Sequence, residues 1–122
     1  MTTPPLNLLL VDDSRIARLG LRRQLNSLGL ELNILEADSA DAAEQLLQQQ
    51  SADLALIDFN MPGRDGLELA KALKIDHPQL RMALVTANIQ DALAQRARQL
   101  GLTFLPKPTR AEQLAAFIRP EV

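Results

Sequence analysis

The distribution of apolar residues along the chain predicts five β-strands that alternate with five α-helices. Short, nearly continuous apolar runs such as LNLLLV and ADLALI are typical of strands whose two faces are both buried. Longer stretches such as RIARLGLRRQL place apolar residues at helical spacing. We predict strands near residues 6–11, 32–36, 53–58, 81–86 and 103–106, and helices near 14–28, 39–50, 65–76, 89–100 and 110–119.

This alternation predicts an α/β fold in which helices cover both faces of a parallel, five-stranded sheet. Connections between parallel strands of one sheet are right-handed almost without exception, which leaves few topologies. Residues 109–112, Thr-Arg-Ala-Glu, match a capping box and should begin the last helix. Gly29 and Gly101 stand where the first and fourth helices should stop. The sequence contains no linker or internal repeat, so we expect one domain over residues 1–122.

Five polar residues stand at the ends of four of the predicted strands. Asp12 and Asp13 follow the first strand, Asp58 ends the third, Thr86 ends the fourth, and Lys107 follows the fifth. In one parallel sheet these residues gather along the edge formed by the carboxyl ends of the strands, where open α/β sheets bind ligands. The arrangement predicts a site for phosphate and a divalent cation.

The predicted site carries three carboxylates and one ammonium group. If the first and third strands are neighbours, about 4.8 Å apart, Asp12, Asp13 and Asp58 repel one another, and one or more must take up a proton. A hard dication removes this conflict, and with oxygen ligands alone Mg²⁺ is the natural choice. Lys107 adds a fixed positive charge, and Thr86 adds a hydroxyl that can donate to a phosphoryl oxygen. These groups suit phosphoryl transfer onto an aspartate.

The composition limits the classes of protein that the chain can represent. Its 122 residues are 47% hydrophobic and 23% charged, with a formal net charge of -2, which gives no broad basic surface for nucleic acid. Without cysteine the chain forms neither disulfides nor thiolate sites. No run approaches the roughly 20 apolar residues of a membrane helix, and the first residues do not resemble a signal peptide. We therefore expect a cytoplasmic domain without membrane contact.

Four segments give the chain a specific family resemblance. LLLVDDS, LIDFNMPGRDG, VTA and FLPKP resemble, in order and spacing, the receiver domain of bacterial two-component response regulators. The similarity covers essentially the whole chain. It implies a flavodoxin-like (βα)₅ three-layer sandwich, similar to the chemotaxis receivers, with strand order 2-1-3-4-5. It also implies a phosphoacceptor switch that assists only its own phosphorylation and dephosphorylation, not an enzyme.

The same resemblance implies roles for the residues of the acidic pocket. Asp58 accepts a phosphoryl group from a phosphohistidine of a sensor histidine kinase or a histidine phosphotransfer protein. Asp13 ligates Mg²⁺ directly, and Asp12 does so directly or through water, while Asn60 supplies its backbone carbonyl. Asp58 also ligates Mg²⁺ under this resemblance. The phosphorylated domain then acts on a downstream effector protein or domain.

Further residues take part in switching under this resemblance. Thr86 bonds the phosphoryl oxygen in the active state, Lys107 pairs with it, and the peptide bond between Lys107 and Pro108 is cis. Phe104 occupies the switch-aromatic position, where tyrosine is also common, so its inward and outward states must differ by packing alone. Asn88, two residues after the threonine, borders the path of the water that removes the phosphoryl group.

Simpler interpretations of single residues stay open. Asp12 or Asp13, taken alone, is about equally well explained as the N-cap of the first helix, and Asn88 as the N-cap of the fourth. Arg15 and Arg18 fit a solvated helix face, and their nearness to the pocket makes a weaker case for steering a phosphodonor.

Residues outside the pocket have structural interpretations. Gly63 and Gly66 are predicted turn formers in the loop after the third strand, and Phe117 lies on the apolar stripe of the last helix. Winged-helix transcription regulators usually carry an arginine near the positions of Ala116 and Phe117 for a charged dimer face. We do not expect that type of dimer here, and a phosphorylation-dependent homodimer of another kind stays open.

Two other function classes compete with the switch. A phosphohydrolase of the haloacid-dehalogenase type also uses an aspartate nucleophile, Mg²⁺ and lysine, but its DxDx[TV] motif does not match the residues DDSR after the first strand. A flavodoxin should carry a first loop rich in Thr, Ser and Gly, whereas this loop is acidic, and the chain has no Trp or Tyr to sandwich a flavin.

Overall fold

The computed structural model describes residues 5–120, over which strands and helices alternate as predicted; residues 1–4 and 121–122 of the expected domain lie outside this range. The strand ends fall within one residue of the predicted ends and the helix ends within two. Within residues 5–120, no helix is both long and apolar enough to cross a membrane. The elements are β1 Leu6–Val11, α1 Arg15–Asn26, β2 Leu32–Ala37, α2 Ala40–Gln49, β3 Leu54–Asp58, α3 Gly66–Asp76, β4 Arg81–Thr86, α4 Asp91–Gln99, β5 Thr103–Pro106 and α5 Ala111–Ile118.

The strands form one parallel sheet in the order β2-β1-β3-β4-β5, which confirms the flavodoxin-like topology. β1 lies between β2 and β3, and Val11 is in register with Ala37 on one side and with Ile57 on the other. At the end of β4, Thr86 is in register with Pro106 of β5. The residues at the carboxyl ends of β1, β3, β4 and β5 therefore meet at one edge of the sheet.

Two apolar layers cover the sheet, one on each face. The first layer contains Leu9 and Val11 of β1 and packs against α2, α3 and α4. The second contains Leu8 and Leu10 and packs against α1 and α5. Successive side chains of a strand point to opposite faces, so a strand that is buried on both faces must be apolar throughout. This explains the continuous apolar runs in the sequence.

One of the two predicted glycine helix stops is confirmed. Gly101 has φ 77°, and the N–H groups of Gly101 and Leu102 donate to the carbonyls of Arg98 and Ala97, both at 2.9 Å. This hydrogen-bond pattern is that of a Schellman C-cap for α4. Gly29, with φ 74°, lies three residues beyond the last residue of α1. It therefore shapes the turn into β2 and does not end the helix.

The predicted capping box at the start of α5 is wrong. The N-cap is Arg110, whose side chain makes no cap hydrogen bond within the described residues. The Thr109 hydroxyl instead donates to Gln24 Oε1 at 2.6 Å, and the Gln24 side-chain nitrogen donates to the Thr109 carbonyl at 2.8 Å. The hydroxyl that the local pattern assigned to a cap is thus engaged by α1, far away in the sequence.

The connection from β3 to α3 runs close to the backbone of β3. Gly66 is the first residue of α3, and its N–H donates to the Phe59 carbonyl at 2.9 Å. A Cβ atom on Gly66 would overlap the carbonyl oxygen of Asp58 and would lie 2.9 Å from the Phe59 Cα. Gly63, with φ 78°, is a turn former as predicted. Gly66 is required for a different reason, which is this close approach.

We predict that Gly66→Ala destabilises the protein by about 1–3 kcal/mol or more, because the Cβ would meet backbone atoms that cannot rotate aside. Gly20→Ala in α1 is the matched control, since a Cβ there meets nothing within 4 Å. Alanine in a helix interior is favoured over glycine by roughly 0.5–1 kcal/mol. Urea unfolding measures both variants, and equal stabilities would contradict the close approach at Gly66.

Candidate functional site

Three aspartates meet at the carboxyl edge of β1 and β3. Asp12 follows β1 directly, and Asp58 is the last residue of the neighbouring β3. Asp12, Asp13 and Asp58 each offer a carboxylate oxygen within 4.8 Å of the others. Asp12 and Asp58 are 3% and 6% exposed, whereas Asp13 faces solvent. The fold therefore brings together the three carboxylates that the sequence predicted.

The Asp12 carboxylate is held so that one of its oxygens accepts no hydrogen bond from the described residues. Its backbone N–H donates to the Ala37 carbonyl at 3.1 Å, and its Oδ1 accepts from the Ser14 N–H at 2.9 Å. The Oδ2 atom is buried and accepts no hydrogen bond from the described residues. Ser14 is the N-cap of α1, with its hydroxyl accepting from the Ala17 N–H at 3.2 Å. The alternative that Asp12 or Asp13 caps α1 is therefore wrong.

The ammonium group of Lys107 pairs with the two buried carboxylates. Its Nζ lies 2.8 Å from Asp58 Oδ1 and 3.6 Å from Asp12 Oδ2. The Lys107 N–H donates to the Thr86 carbonyl at 2.8 Å, which fixes the backbone of the lysine at the edge of the sheet. The peptide bond from Lys107 to Pro108 is cis, as the resemblance implied.

Burial and neighbouring charges shift the ionisation of this pair. Burial raises the pKa of the Asp58 carboxyl above its ordinary value of 3.8; Lys107 opposes the rise, and the charges of Asp12 and Asp13 add to it. Burial alone would lower the pKa of the Lys107 ammonium group. The hydrogen bond and charge of Asp58, together with Asp12, outweigh burial and raise the pKa of Lys107. The pocket thus holds more carboxylates than one lysine can neutralise.

The donor atoms of the pocket fit a hard dication. A buried carboxylate oxygen without a hydrogen bond is unfavourable, and Asp12 Oδ2 has only the Lys107 ammonium group 3.6 Å away. A bound dication would supply a closer partner. A cation held by Asp12, Asp13 and Asp58 would also offset their mutual repulsion. All three offer oxygen atoms, the ligands that Mg²⁺ prefers. Asn60 lies exposed in the loop after β3, and the contribution of its carbonyl stays a prediction.

Thr86 ends β4 at the same edge and is buried. Its hydroxyl oxygen accepts from the Asn88 N–H at 3.0 Å, while the hydroxyl hydrogen can serve a further acceptor. The Asn88 side chain accepts from the N–H of Gln90 at 3.2 Å, and Gln90 is the N-cap of α4. The alternative that Asn88 is the N-cap is therefore wrong, although its side chain does tie the loop before the helix.

Phe104 lies on the same face of the sheet as Thr86. It is in register with Leu84 of β4, and Thr86 is two residues further along that strand. Phe104 is half-buried and packs against the apolar layer that also contacts α2, α3 and α4. The predicted switch residue is thus already partly packed in this structure.

Two predictions about residues outside the pocket have different outcomes. Phe117 packs in the layer between the sheet, α1 and α5, as predicted. Arg15 is exposed, but Arg18 is not on a solvated face, because its guanidinium donates to the Asp12 carbonyl at 2.6 Å and to Glu36 at 2.9 Å. The sequence signal for this contact was the position of Arg18 in the first turn of the helix that follows the acidic pair.

The family of the chain follows from comparison with known proteins. Residues 8–119 match the family described as the response regulator receiver domain. Because this match covers most of the chain, the chain belongs to that family and is a receiver domain of two-component signalling. The signal receiver domain of the regulator NarL from Mycobacterium tuberculosis has a similar structure, with a TM-score of 0.84, 30% identity, and coverage of 95% of this chain and 94% of that one.

Longer regulators are also similar to the chain. It is 33% identical over 114 residues to the cyclic di-GMP phosphodiesterase response regulator RpfG of Xanthomonas campestris, covering 91% of this chain and 30% of that protein. It is 34% identical over 110 residues to the DNA-binding transcriptional regulator NtrC of Klebsiella pneumoniae, covering 89% of this chain and 23% of that protein. The chain therefore spans less than a third of either relative.

The competing phosphohydrolase interpretation is not supported. That class carries its nucleophile in a DxDx[TV] motif after the first strand, and the residues there are DDSR. The carboxylate nearest to Lys107 Nζ, at 2.8 Å, is instead that of Asp58 at the end of β3. The family match is to receiver domains over nearly the full chain.

The raised pKa of Asp58 predicts how stability depends on pH. A carboxyl with a higher pKa in the folded state makes that state bind more protons, so stability falls as pH rises through the interval between the unfolded and folded values. Asp58→Asn removes this contribution. The free energy of unfolding of the variant, minus that of the unchanged protein, should therefore increase as pH rises above about 3.8 and then level off. Urea unfolding at a series of pH values without Mg²⁺ measures the difference, and a difference independent of pH would contradict the shift.

Proposed function

We propose that Asp58 accepts a phosphoryl group from the phosphohistidine of a sensor histidine kinase or a histidine phosphotransfer protein. The observation that carries this proposal is the environment of the buried carboxylate, which lies 2.8 Å from Lys107 Nζ and beside Asp12 Oδ2, a buried oxygen that accepts no hydrogen bond from the described residues. This environment offers positive charge on one side and oxygen ligands for a cation on the other.

In the transfer, an oxygen of Asp58 bonds to phosphorus while the bond from phosphorus to the histidine nitrogen breaks. The imidazole leaves with the electron pair of that bond, and the carboxylate becomes an acyl phosphate. Asp58 must be ionised to attack, and pairing with Lys107 favours the ionised form against burial. Mg²⁺ held by Asp12, Asp13, Asp58 and the Asn60 carbonyl would neutralise charge on the phosphoryl oxygens. Lys107 stays beside the acyl phosphate as a fixed cation.

The wider role that we propose is that of a switch. Residues 1–122 act as one receiver domain in the cytoplasm, which changes its contacts when it is phosphorylated and does not catalyse reactions of other molecules. Its partners are the phosphodonor and a downstream effector protein or domain, with no direct contact to nucleic acid or membrane.

On α5 Ala116 is exposed and Phe117 is buried, so neither residue provides a charged dimer face.

We predict that acetyl phosphate with Mg²⁺ adds one phosphoryl group, which mass spectrometry detects in the unchanged protein but not in Asp58→Ala. Asp53→Ala is the matched control, because Asp53 precedes β3 at the opposite end of the strand and should leave the adduct intact. An adduct that survives Asp58→Ala would contradict the assignment. Rapid multiple turnover of acetyl phosphate would instead favour a hydrolase.

We also propose that the phosphoryl group alters the surface formed by α4, β5 and α5 through Thr86. The Thr86 hydroxyl can reach a phosphoryl oxygen on Asp58 by moving toward it, away from Leu84 and Phe104 on the same face. Phe104 can then turn further inward. Burial of a fully exposed ring contributes about 1.5–3 kcal/mol, and less is available for this half-buried residue. A bias of about 1.4 kcal/mol already changes an equilibrium ten-fold.

We predict that Thr86→Ala accepts the phosphoryl group yet fails to change the environment of Phe104, whereas Thr86→Ser, which keeps the hydroxyl, retains the response. The measurement compares NMR chemical shifts of Phe104 and its neighbours with and without beryllofluoride, a mimic of the phosphoryl group. If the Asp58 loop responds in the unchanged protein while Phe104 does not, the coupling through Thr86 is wrong.

A further inference from the structure

The side chain of Arg18 on α1 contacts the loop that carries two of the three aspartates. The Nη1 group of Arg18 donates to the backbone carbonyl of Asp12 at 2.6 Å, and its Nε donates to Glu36 Oε1 at 2.9 Å. The Arg18 side chain is only 15% exposed. It therefore differs from a solvated surface arginine, which would keep its hydrogen bonds with water.

The carbonyl that Arg18 holds belongs to the peptide unit joining Asp12 to Asp13. The orientation of this peptide decides the direction in which the backbone leaves β1, and hence where the Asp13 side chain begins. The backbone N–H of Arg18 also donates to the Ser14 carbonyl at 3.0 Å. That bond is the first backbone hydrogen bond of α1, so the contact of the Arg18 side chain itself with the loop is the one to the Asp12 carbonyl.

Glu36 on β2 orients the guanidinium of Arg18. One oxygen of Glu36 accepts from Arg18, and the other accepts from Nη1 of Arg22, also at 2.9 Å. The planar guanidinium can therefore donate to Glu36 and to the Asp12 carbonyl at the same time, in fixed directions, which a lysine ammonium group cannot reproduce. The Glu36 charge also offsets a positive charge that would otherwise repel a nearby dication.

We propose that Arg18 is a positioning residue for the divalent-cation site, holding the Asp12–Asp13 peptide so that both carboxylates face Asp58. This inference rests on the proposed function of these aspartates as Mg²⁺ ligands. Groups that orient metal ligands typically change metal affinity by about 10–100-fold. If Arg18 acts by positioning, its replacement weakens Mg²⁺ binding. If it acts only through its charge, its replacement tightens Mg²⁺ binding, because a nearby positive charge is removed.

The test measures Mg²⁺ affinity by NMR titration of the ¹⁵N-labelled protein with MgCl₂. Arg18→Met and Arg18→Lys should each bind Mg²⁺ about 10-fold more weakly than the unchanged protein. Arg22→Met is the matched control, because it removes the same charge and another contact to Glu36 but leaves the Asp12 carbonyl bonded. It should bind within about two-fold of the unchanged protein. If Arg18→Met does not fold, the test uses Arg18→Lys, which keeps the charge. Weaker Mg²⁺ binding by that variant supports positioning, and equal or tighter binding overturns it.

A second readout separates positioning from general damage. In phosphorylation by acetyl phosphate, the Arg18 variants should need more Mg²⁺ for half of the maximal rate, while the rate recovers at saturating Mg²⁺. Equal or tighter binding by Arg18→Met, or an equal loss in Arg22→Met, would overturn the inference. Failure of the unchanged protein to bind Mg²⁺ at all would instead contradict the proposed function.

Discussion

The ion pair between the buried carboxylate of Asp58 and the partly exposed ammonium group of Lys107 is the interaction on which the rest of the site depends. Removing two charges from water is unfavourable, and a buried pair is by itself weak evidence for stability. Here the charges are also unbalanced, because the second buried carboxylate, that of Asp12, shares the same lysine at 3.6 Å and its charge raises the pKa of Asp58 further. This excess of negative charge is unfavourable, and under the proposed function a bound Mg²⁺ would relieve it and prepare the pocket to receive a phosphoryl group.

The fold supplies this pair through backbone geometry. The order of β2, β1 and β3 makes Asp12 and Asp58 neighbours, and the hydrogen bond from the Lys107 N–H to the Thr86 carbonyl brings the lysine to the same edge. Apolar layers on both faces hold the strands in register. The absence of a side chain at Gly66 lets α3 begin against the backbone of Asp58. The site thus depends on main-chain positions as well as on its charged side chains.

The residues at the strand ends could be predicted from the sequence, because a parallel strand that is buried on both faces is a continuous apolar run. The first polar residue after such a run marks the carboxyl edge of the sheet. The family motifs implied the strand order, which the sheet confirms, and the roles of Asp58 and Lys107, which stay predictions. Contacts between distant segments could not be predicted in this way. Thr109 matched a local cap but bonds Gln24, and Arg18 matched a solvated face but bonds the Asp12 carbonyl. Gly66 was assigned to a turn, because its close approach to Asp58 exists only after β3 and α3 have packed.

We infer that the carboxylates of this pocket carry uncompensated charge, which a bound divalent cation would relieve. The most direct measurement is a ¹³C NMR titration of the Asp58 side-chain carboxyl, carried out with and without Mg²⁺. Without Mg²⁺ the carboxyl should titrate above its ordinary pKa of 3.8. Saturating Mg²⁺ should lower that pKa, because a cation favours the ionised form. An Asp58 carboxyl that titrates normally, or one whose pKa Mg²⁺ does not change, would contradict the account.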